Sequence, residues 1–321
     1  MATLELNVRV ARKAREADDI ASFLLIAADN GHLPRFEPGA HIDVHIPGGL
    51  IRQYSLCSLS TDPRSYEIAV LREPASRGGS VAMHDRVQTG DTLRISAPRN
   101  HFPLRPNASK SLLLAGGIGV TPLLCMAQHL SASGADFGMH YWSRTRARTA
   151  FYERIQRSAF AADVAFHFDD GPSNQLLPLE AALADGCDDW DVYLCGPAGF
   201  ITAAREAAQQ RGWTADRIHL EYFTPQAGRL PDSAAFEIEL ARSGRVLRVP
   251  ANKTVAQVLA EHSVNIPLSC EQGVCGTCLT RILSGIPDHR DLVLTPEEHA
   301  RNDQFTPCCS RALSPRLVLD L

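Results

Sequence analysis

The sequence predicts a multidomain chain: an antiparallel β-barrel, then an α/β segment around a parallel sheet, then a small α+β segment of ferredoxin-like, β-grasp type. Three observations carry this. The alternation of apolar and polar residues gives way at Ser111 to apolar runs that alternate with helical stretches. A stretch from Thr224 to Ser233, with two prolines and a glycine and little apolar character, breaks the chain. Beyond it, five of the nine cysteines crowd between Cys270 and Cys309.

From Leu4 to about Arg105, short alternating stretches such as Ala40 to Ile46, Tyr66 to Leu71 and Thr92 to Ile95 are punctuated by Gly, Pro and Asp, the pattern of a small antiparallel barrel. The first segment is therefore set at 1–105. In 106–225 the apolar run Leu112 to Ala115 meets Gly116-Gly117-Ile118-Gly119 and a helical stretch, Pro122 to Leu130. Strands are expected at Gly138 to Trp142, Val164 to Phe168 and Val192 to Leu194, with helices around Phe151 to Arg157 and Phe200 to Arg211. Residues 226–233 read as a linker. In 234–321, Phe236 to Leu240 and Arg245 to Val249 form a hairpin about Ser243-Gly244. Thr254 to Glu261 is helical, and Leu317 to Leu319 adds a closing strand.

At 321 residues the chain can bury real cores, and no run approaches the roughly 20 apolar residues that span a bilayer. Met1 to Arg15 lacks the pattern of a secretory signal, so a reducing cytoplasmic setting is the expectation. A net charge of −4 argues against nucleic-acid binding.

Cys270, Cys275 and Cys278 follow the C-x4-C-x2-C spacing, and Cys308 comes after 29 further residues, as in plant-type 2Fe-2S ferredoxins. Four thiolates must converge on two sulfide-bridged irons, so three come from one tight loop and the fourth from afar. Gly273 and Gly276 let such a loop fold closely and aim N–H groups at sulfur. Zinc also takes four thiolates, but usually from two short C-x2-C knuckles. Cys309 could replace Cys308 by a one-residue slip. Cys57, Cys125 and Cys187 read as thiols without chemistry.

Two further constellations suggest nucleotide cofactors. Arg52, Tyr54, Ser55 and Leu56 supply a cation for a phosphate, a ring to pack on an isoalloxazine and a hydroxyl to hydrogen-bond it, the needs of FMN. An unremarkable surface Arg beside a half-buried Tyr would look the same. Arg77-Gly78-Gly79-Ser80, a glycine pair opening a helix, offers backbone N–H groups to an anion. Gly116, Gly117, Gly119 and Thr121 lie on a strand-to-helix turn of the kind that admits a pyrophosphate, although the run is not the Rossmann fingerprint. Cys195-Gly196-Pro197 closes another strand at what should be the same sheet edge. Ser143-Arg144-Thr145-Arg146-Ala147-Arg148 carries three arginines that could neutralise the 2′-phosphate of NADPH, or form a solvated basic loop.

These motifs occur in the same order as in the phthalate dioxygenase reductase family, which the whole chain resembles. Cys270 to Cys278 and Asp303 to Arg311 are most similar to the vanillate O-demethylase reductase type. The resemblance implies that Arg52, Tyr54, Ser55, Gly79 and Ser80 hold FMN, and that Gly116 to Thr121 hold the dinucleotide. It places Cys195 near the nicotinamide, with Ser55 beside the reacting centre, and puts Glu221-Tyr222-Phe223 at the end of the nucleotide domain near the flavin. Leu71 departs from the pattern, since phthalate members carry a lysine there, and so leaves Arg72 or Arg77 to supply charge. The implied activity is an electron-transfer reductase of a Rieske-type aromatic oxygenase or O-demethylase. It would use NADH rather than NADPH, with FMN and a 2Fe-2S cluster. The competing readings are an NAD(P)H-dependent reductase with FAD or another acceptor, and a cluster-bearing redox sensor. Glu271, Asp288, Asp291, Glu297 and Glu298 form either an acidic face that steers the oxygenase or an ordinary solvated surface.

Overall fold

The computed structural model describes residues 5–59, 63–73, 78–106, 108–171, 178–183, 190–223, 234–268, 270–271, 273–274 and 276–321. The linker expected at 226–233, and Arg77, Cys187 and Cys275, lie outside them. Two compact units emerge, 1–221 and 222–321, with the boundary inside a strand rather than in the Pro/Gly-rich stretch.

The first unit begins with β1 (Glu5–Ala17), β2 (Ile20–Ala27), β3 (Ala40–Ile46), β4 (Leu50–Ser55), β5 (Ser65–Leu71), α1 (Gly79–Arg86), β6 (Thr92–Ser96) and β7 (Arg99–Asn100). The strands run in the order β4-β3-β6-β1-β2-β5, with β7 on β3, and the pairs are antiparallel. An antiparallel bridge from Leu56, just past β4, to Ile68 of β5 joins the two ends and closes the barrel. Inward positions on alternate residues, among them Val8, Val10, Phe23, Leu25, Ile42, Val44 and Ile68, form its core. The β1–β2 hairpin turns on Asp18 and Asp19, the latter at φ 61°, a conformation that Asp tolerates better than most side chains.

The same unit continues with β8 (Lys110–Gly116), a 3₁₀ turn (Gly117–Gly119), α2 (Val120–Ser133), β9 (Phe137–Ser143), α3 (Tyr152–Gln156), β10 (Val164–Phe168), α4 (Leu179–Ala182), β11 (Trp190–Gly196), α5 (Ala198–Gln210) and β12 (Ile218–Tyr222). Their sheet has the order β10-β9-β8-β11-β12, and β10, β9, β8 and β11 are mutually parallel. The chain moves outward from β8 to β10, then crosses back to β11. That reversal makes the carboxyl ends of β8 and β11 a topological switch point, where open α/β sheets receive ligands. The barrel and this sheet are tied together: Cys125 of α2 belongs to the barrel core, Gln128 donates to Cys57 O at 3.0 Å, and Arg154 donates to the buried Glu67 at 2.5 Å.

The second unit holds β13 (Phe236–Leu240), β14 (Arg245–Val249), α6 (Val255–Glu261), β15 (Thr280–Ser284), β16 (Pro287–Asp288), α7 (Pro296–Arg301), β17 (Gln304–Phe305), β18 (Arg311–Ala312) and β19 (Arg316–Leu319). Its mixed sheet, β14-β13-β19-β15-β17, has one parallel pair, β13–β19, and is covered by Val255, Val258 and Leu259 of α6. A reciprocal capping box of Thr254 and Gln257 starts α6. Arg311 is almost wholly buried and donates to the carbonyls of Lys253 (2.7 Å), Pro250 (3.1 Å) and Ala234 (3.3 Å), holding the hairpin against the segment that follows Cys308. Among the described residues no helix is long and apolar enough to cross a membrane.

Candidate functional site

In the barrel, Arg52, Tyr54 and Ser55 occupy the end of β4, and α1 begins close by. Gly78 takes a left-handed conformation (φ 85°) before the helix opens at Gly79. A Cβ at Gly79 would stand 2.7 Å from Arg52 Cγ and 2.9 Å from its Nε, so the guanidinium stem lies against the first turn of α1. Cation and helix N-terminus thus converge, a donor set suited to a phosphate. Tyr54 packs on the barrel core, and burial pushes its hydroxyl up despite the nearby Arg52. Leu56 is fully buried in that core. Arg72 is tied to Asp85 of α1 at 3.1 Å, and Ser80 Oγ accepts from the Glu73 amide at 3.1 Å.

At the switch point three glycines and one peptide interlock. A Cβ at Gly119 would collide with the carbonyl of Cys195. One at Gly116 would come within 3.0 Å of Phe200 and Pro197, and one at Gly196 within 3.0 Å of Gly116 Cα. The β8 and β11 loops therefore touch backbone to backbone. Gly117, at φ 54°, has open space where its Cβ would lie. That open, glycine-lined turn suits a pyrophosphate, whose oxygens need N–H groups without intervening side chains. Thr121 turns its hydroxyl inward, donating to Ile118 O at 3.1 Å. Pro197 caps the N-terminus of α5, and Cys195 is fully buried, its thiol pushed up by desolvation and by Glu221.

Glu221 links the two constellations, because its Oε2 accepts a hydrogen bond from Ser55 Oγ at 3.2 Å. Desolvation pushes its carboxyl up to about 8, and the Ser55 hydroxyl opposes that rise. Phe223 follows β12 and is half-buried.

In the second unit Cys270, Cys278 and Cys308 are buried, and Cys278 Sγ lies 3.3 Å from Cys308 Sγ. Gly273 and Gly276 hold φ 75° and 67°, as the tight loop requires. Cys309 borders the same group through Cys308, but its Sγ lies 3.1 Å from Thr306 Oγ1 and fills the space beside Gly273. Convergent buried thiols on a glycine-bent loop fit an iron–sulfur cluster. Asp291 does not lie on an acidic face, since its side chain is fully buried, and Asp288 is paired with Arg290 at 2.5 Å.

Residues 238–313 match the model of the 2Fe-2S iron-sulfur cluster binding domain. A vanillate O-demethylase oxidoreductase of Pseudomonas sp. (strain HR199 / DSM 7063) is 51% identical over 305 residues, spanning 95% of this chain and 96% of the relative. The solved phthalate dioxygenase reductase, described as a modular structure for electron transfer from pyridine nucleotides to [2Fe-2S], superimposes with a TM-score of 0.78 at 37% identity, covering 99% of this chain and 98% of its own. An intact type IV self-sufficient cytochrome P450 monooxygenase gives a TM-score of 0.85 at 38% identity over 99% of this chain, which spans 41% of that longer protein. The chain belongs to the phthalate dioxygenase reductase family and shares half of its residues with a vanillate O-demethylase oxidoreductase.

Proposed function

We propose that this protein is the cytoplasmic reductase component of a Rieske-type aromatic oxygenase or O-demethylase, taking electrons from NADH through FMN and a 2Fe-2S cluster. The observation that carries the reading is the Ser55–Glu221 contact, which brings the anion-binding end of the barrel to the glycine-lined switch point. Arg52 and the first turn of α1 would hold the FMN phosphate, and Tyr54 and Ser55 its ring. Gly116, Gly117 and Gly119, with Cys195, Gly196 and Pro197, would hold the nicotinamide dinucleotide. Cys270, Cys275, Cys278 and Cys308 would ligate the irons. Three functional domains, 1–105, 106–225 and 234–321, serve one cofactor each.

A bound flavin supplies the conversion between a two-electron hydride and single-electron delivery, which neither nicotinamide nor cluster can make alone. The chain's own contribution is placement. Gly119 packs the two loops so closely that no side chain separates them, and Gly117 leaves its face open to the ligand. Buried Cys195 stays a neutral thiol at this edge, and Ser55 presents a hydroxyl whose partner Glu221 holds a proton near neutral pH. A cluster held by Cys270, Cys275, Cys278 and Cys308 near the roughly −400 mV of plant-type ferredoxins would favour a Rieske acceptor at about −150 mV by roughly four decades in equilibrium.

NADH is the favoured donor. Arg146 is engaged with Glu153 at 3.0 Å and lies over the Tyr152 ring, while Arg148 pairs with Asp19 at 3.2 Å, so two of the three loop arginines already have partners. A higher kcat/KM for NADPH than for NADH would overturn this. The similarity to a self-sufficient P450 favours one second reading, a haem monooxygenase as acceptor. Coupled turnover with a purified Rieske oxygenase and with a P450, each supplied with NADH, separates the two.

A further inference from the structure

Asp291, whose carboxylate has been withdrawn from the surface, sits in a cluster that the electron-transfer reading does not use. We infer that His289, Asp291 and His299 form a second metal site, for a divalent transition-metal ion, with zinc the favoured occupant. One donor atom from each lies within 4.8 Å of the others. His289 Nδ1 is 3.6 Å from Asp291 Oδ1, His299 Nε2 is 3.3 Å from the same oxygen, and the two rings stack at 4.2 Å.

These separations matter. His299 Nε2 is within hydrogen-bond reach of both Asp291 oxygens, at 3.3 and 3.4 Å, whereas His289 Nδ1 stands beyond it. Ligands about 2.0 Å from a tetrahedral zinc stand roughly 3.3 Å apart; the His299–Asp291 pair has that spacing, His289 Nδ1 stands slightly wider at 3.6 Å, and all three donors lie within 4.8 Å. His289 supplies an independent observation. Its side chain is nine-tenths buried, yet neither ring nitrogen has a hydrogen-bond partner among the described residues. A buried polar group in that condition costs about 1–3 kcal/mol unless something satisfies it, and a metal would.

The surroundings are built for one geometry. Asp291 Oδ2 accepts the amides of Leu294 at 2.9 Å and Val293 at 3.2 Å, fixing the carboxylate as outer hydrogen bonds do in metal sites. His299 rides on α7, whose start is locked by the capping box of Thr295 and Glu298. It remains partly exposed, which gives an ion a way in. Imidazole with a single carboxylate is a donor set for zinc and its neighbours rather than for calcium or magnesium. Three protein ligands leave a tetrahedral ion one position for water.

The site adjoins the cysteine loop, with the Leu292 amide donating to Gly273 O at 2.9 Å, so ligand type has to be read directly. The test is to expose the holoprotein, flavin and iron intact, to low-micromolar zinc, remove the excess, and measure zinc per chain together with zinc-edge X-ray absorption. One zinc with a nitrogen/oxygen shell at about 2.0–2.1 Å and no sulfur at about 2.3 Å is expected. His299→Ala should weaken binding at least about tenfold while flavin and iron contents stay at wild-type levels. Sulfur-ligated zinc, no retained zinc, or binding indifferent to both His299→Ala and His289→Gln would overturn the assignment.

Discussion

Ser55, the last residue of β4, donates its hydroxyl hydrogen to Glu221, 166 residues later on β12, at 3.2 Å. Glu221 has its carboxyl raised from 4.5 to about 8, so the folded protein holds a proton that the unfolded chain releases from about pH 4.5 upward. Stability from this group is therefore full below the unfolded value and is lost as pH rises toward 8. Glu221→Gln, which mimics the protonated form, should match wild-type thermal stability near pH 4.5 and exceed it progressively up to pH 8. Parallel melting curves across that range would contradict the raised carboxyl. Ser55→Ala removes a group that favours the carboxylate, so the decline should still begin near pH 4.5 but run deeper and end at a higher pH.

Gly79→Ala places a methyl group against the flexible stem of Arg52, not against backbone. The fold should survive, but Arg52 must leave the first turn of α1. Flavin retention on dialysis should fall, as it should in Arg52→Ala, where a lost charge-assisted bond of about 2 kcal/mol weakens binding roughly thirtyfold. Wild-type retention in both variants would remove Arg52 from the phosphate site.

Gly117 and Gly119 separate ligand binding from folding. Gly119→Ala drives a Cβ into the Cys195 carbonyl and should cost about 3 kcal/mol of stability. Gly117→Ala meets only its left-handed strain, roughly 1–2 kcal/mol, but its methyl group occupies the face proposed for the dinucleotide. The expected result is a large drop in Tm for the first, and a raised KM for NADH with a small drop in Tm for the second. An unchanged KM in Gly117→Ala would argue against dinucleotide at this turn.

Cys278→Ser should abolish iron incorporation and leave the flavin bound, because the two sites belong to different units. Cys309→Ser should keep its iron, since Cys308, not Cys309, faces Cys278. Iron and flavin analysis of the purified variants checks both. Iron lost from Cys309→Ser and kept in Cys308→Ser would reverse the assignment of the fourth ligand.

Much of this architecture is legible in the chain. Ala40 to Ile46 alternates cleanly because one face is core, and it is β3 to the residue. The cysteine spacing and the glycine turn after Ala115 are local signals with local causes. The β1–β2 hairpin is harder to see, because the arginines, Lys13 and Glu16 of its outer face interrupt the alternation and its turn is Asp-Asp rather than Asn-Gly. β16, β17 and β18, two residues each, carry no periodicity at all. Glu221 and Ser55 are far apart in sequence, so their contact, and the raised carboxyl that follows from it, arise only from tertiary packing. The same holds for His289, Asp291 and His299, of which the sequence singles out only Asp291, and that as part of an acidic surface.

Passage of electrons along one chain, from NADH through flavin to the cluster and on to an oxygenase, can be followed in an anaerobic rapid-mixing experiment, with NADH added to the purified protein, flavin absorbance recorded in time, and the reduced cluster read by low-temperature EPR. Flavin should bleach first and the cluster signal should rise after it, then decay when oxidised Rieske oxygenase is supplied and NADH is exhausted. A flavin fully reduced by excess NADH beside a cluster that stays oxidised would contradict this route.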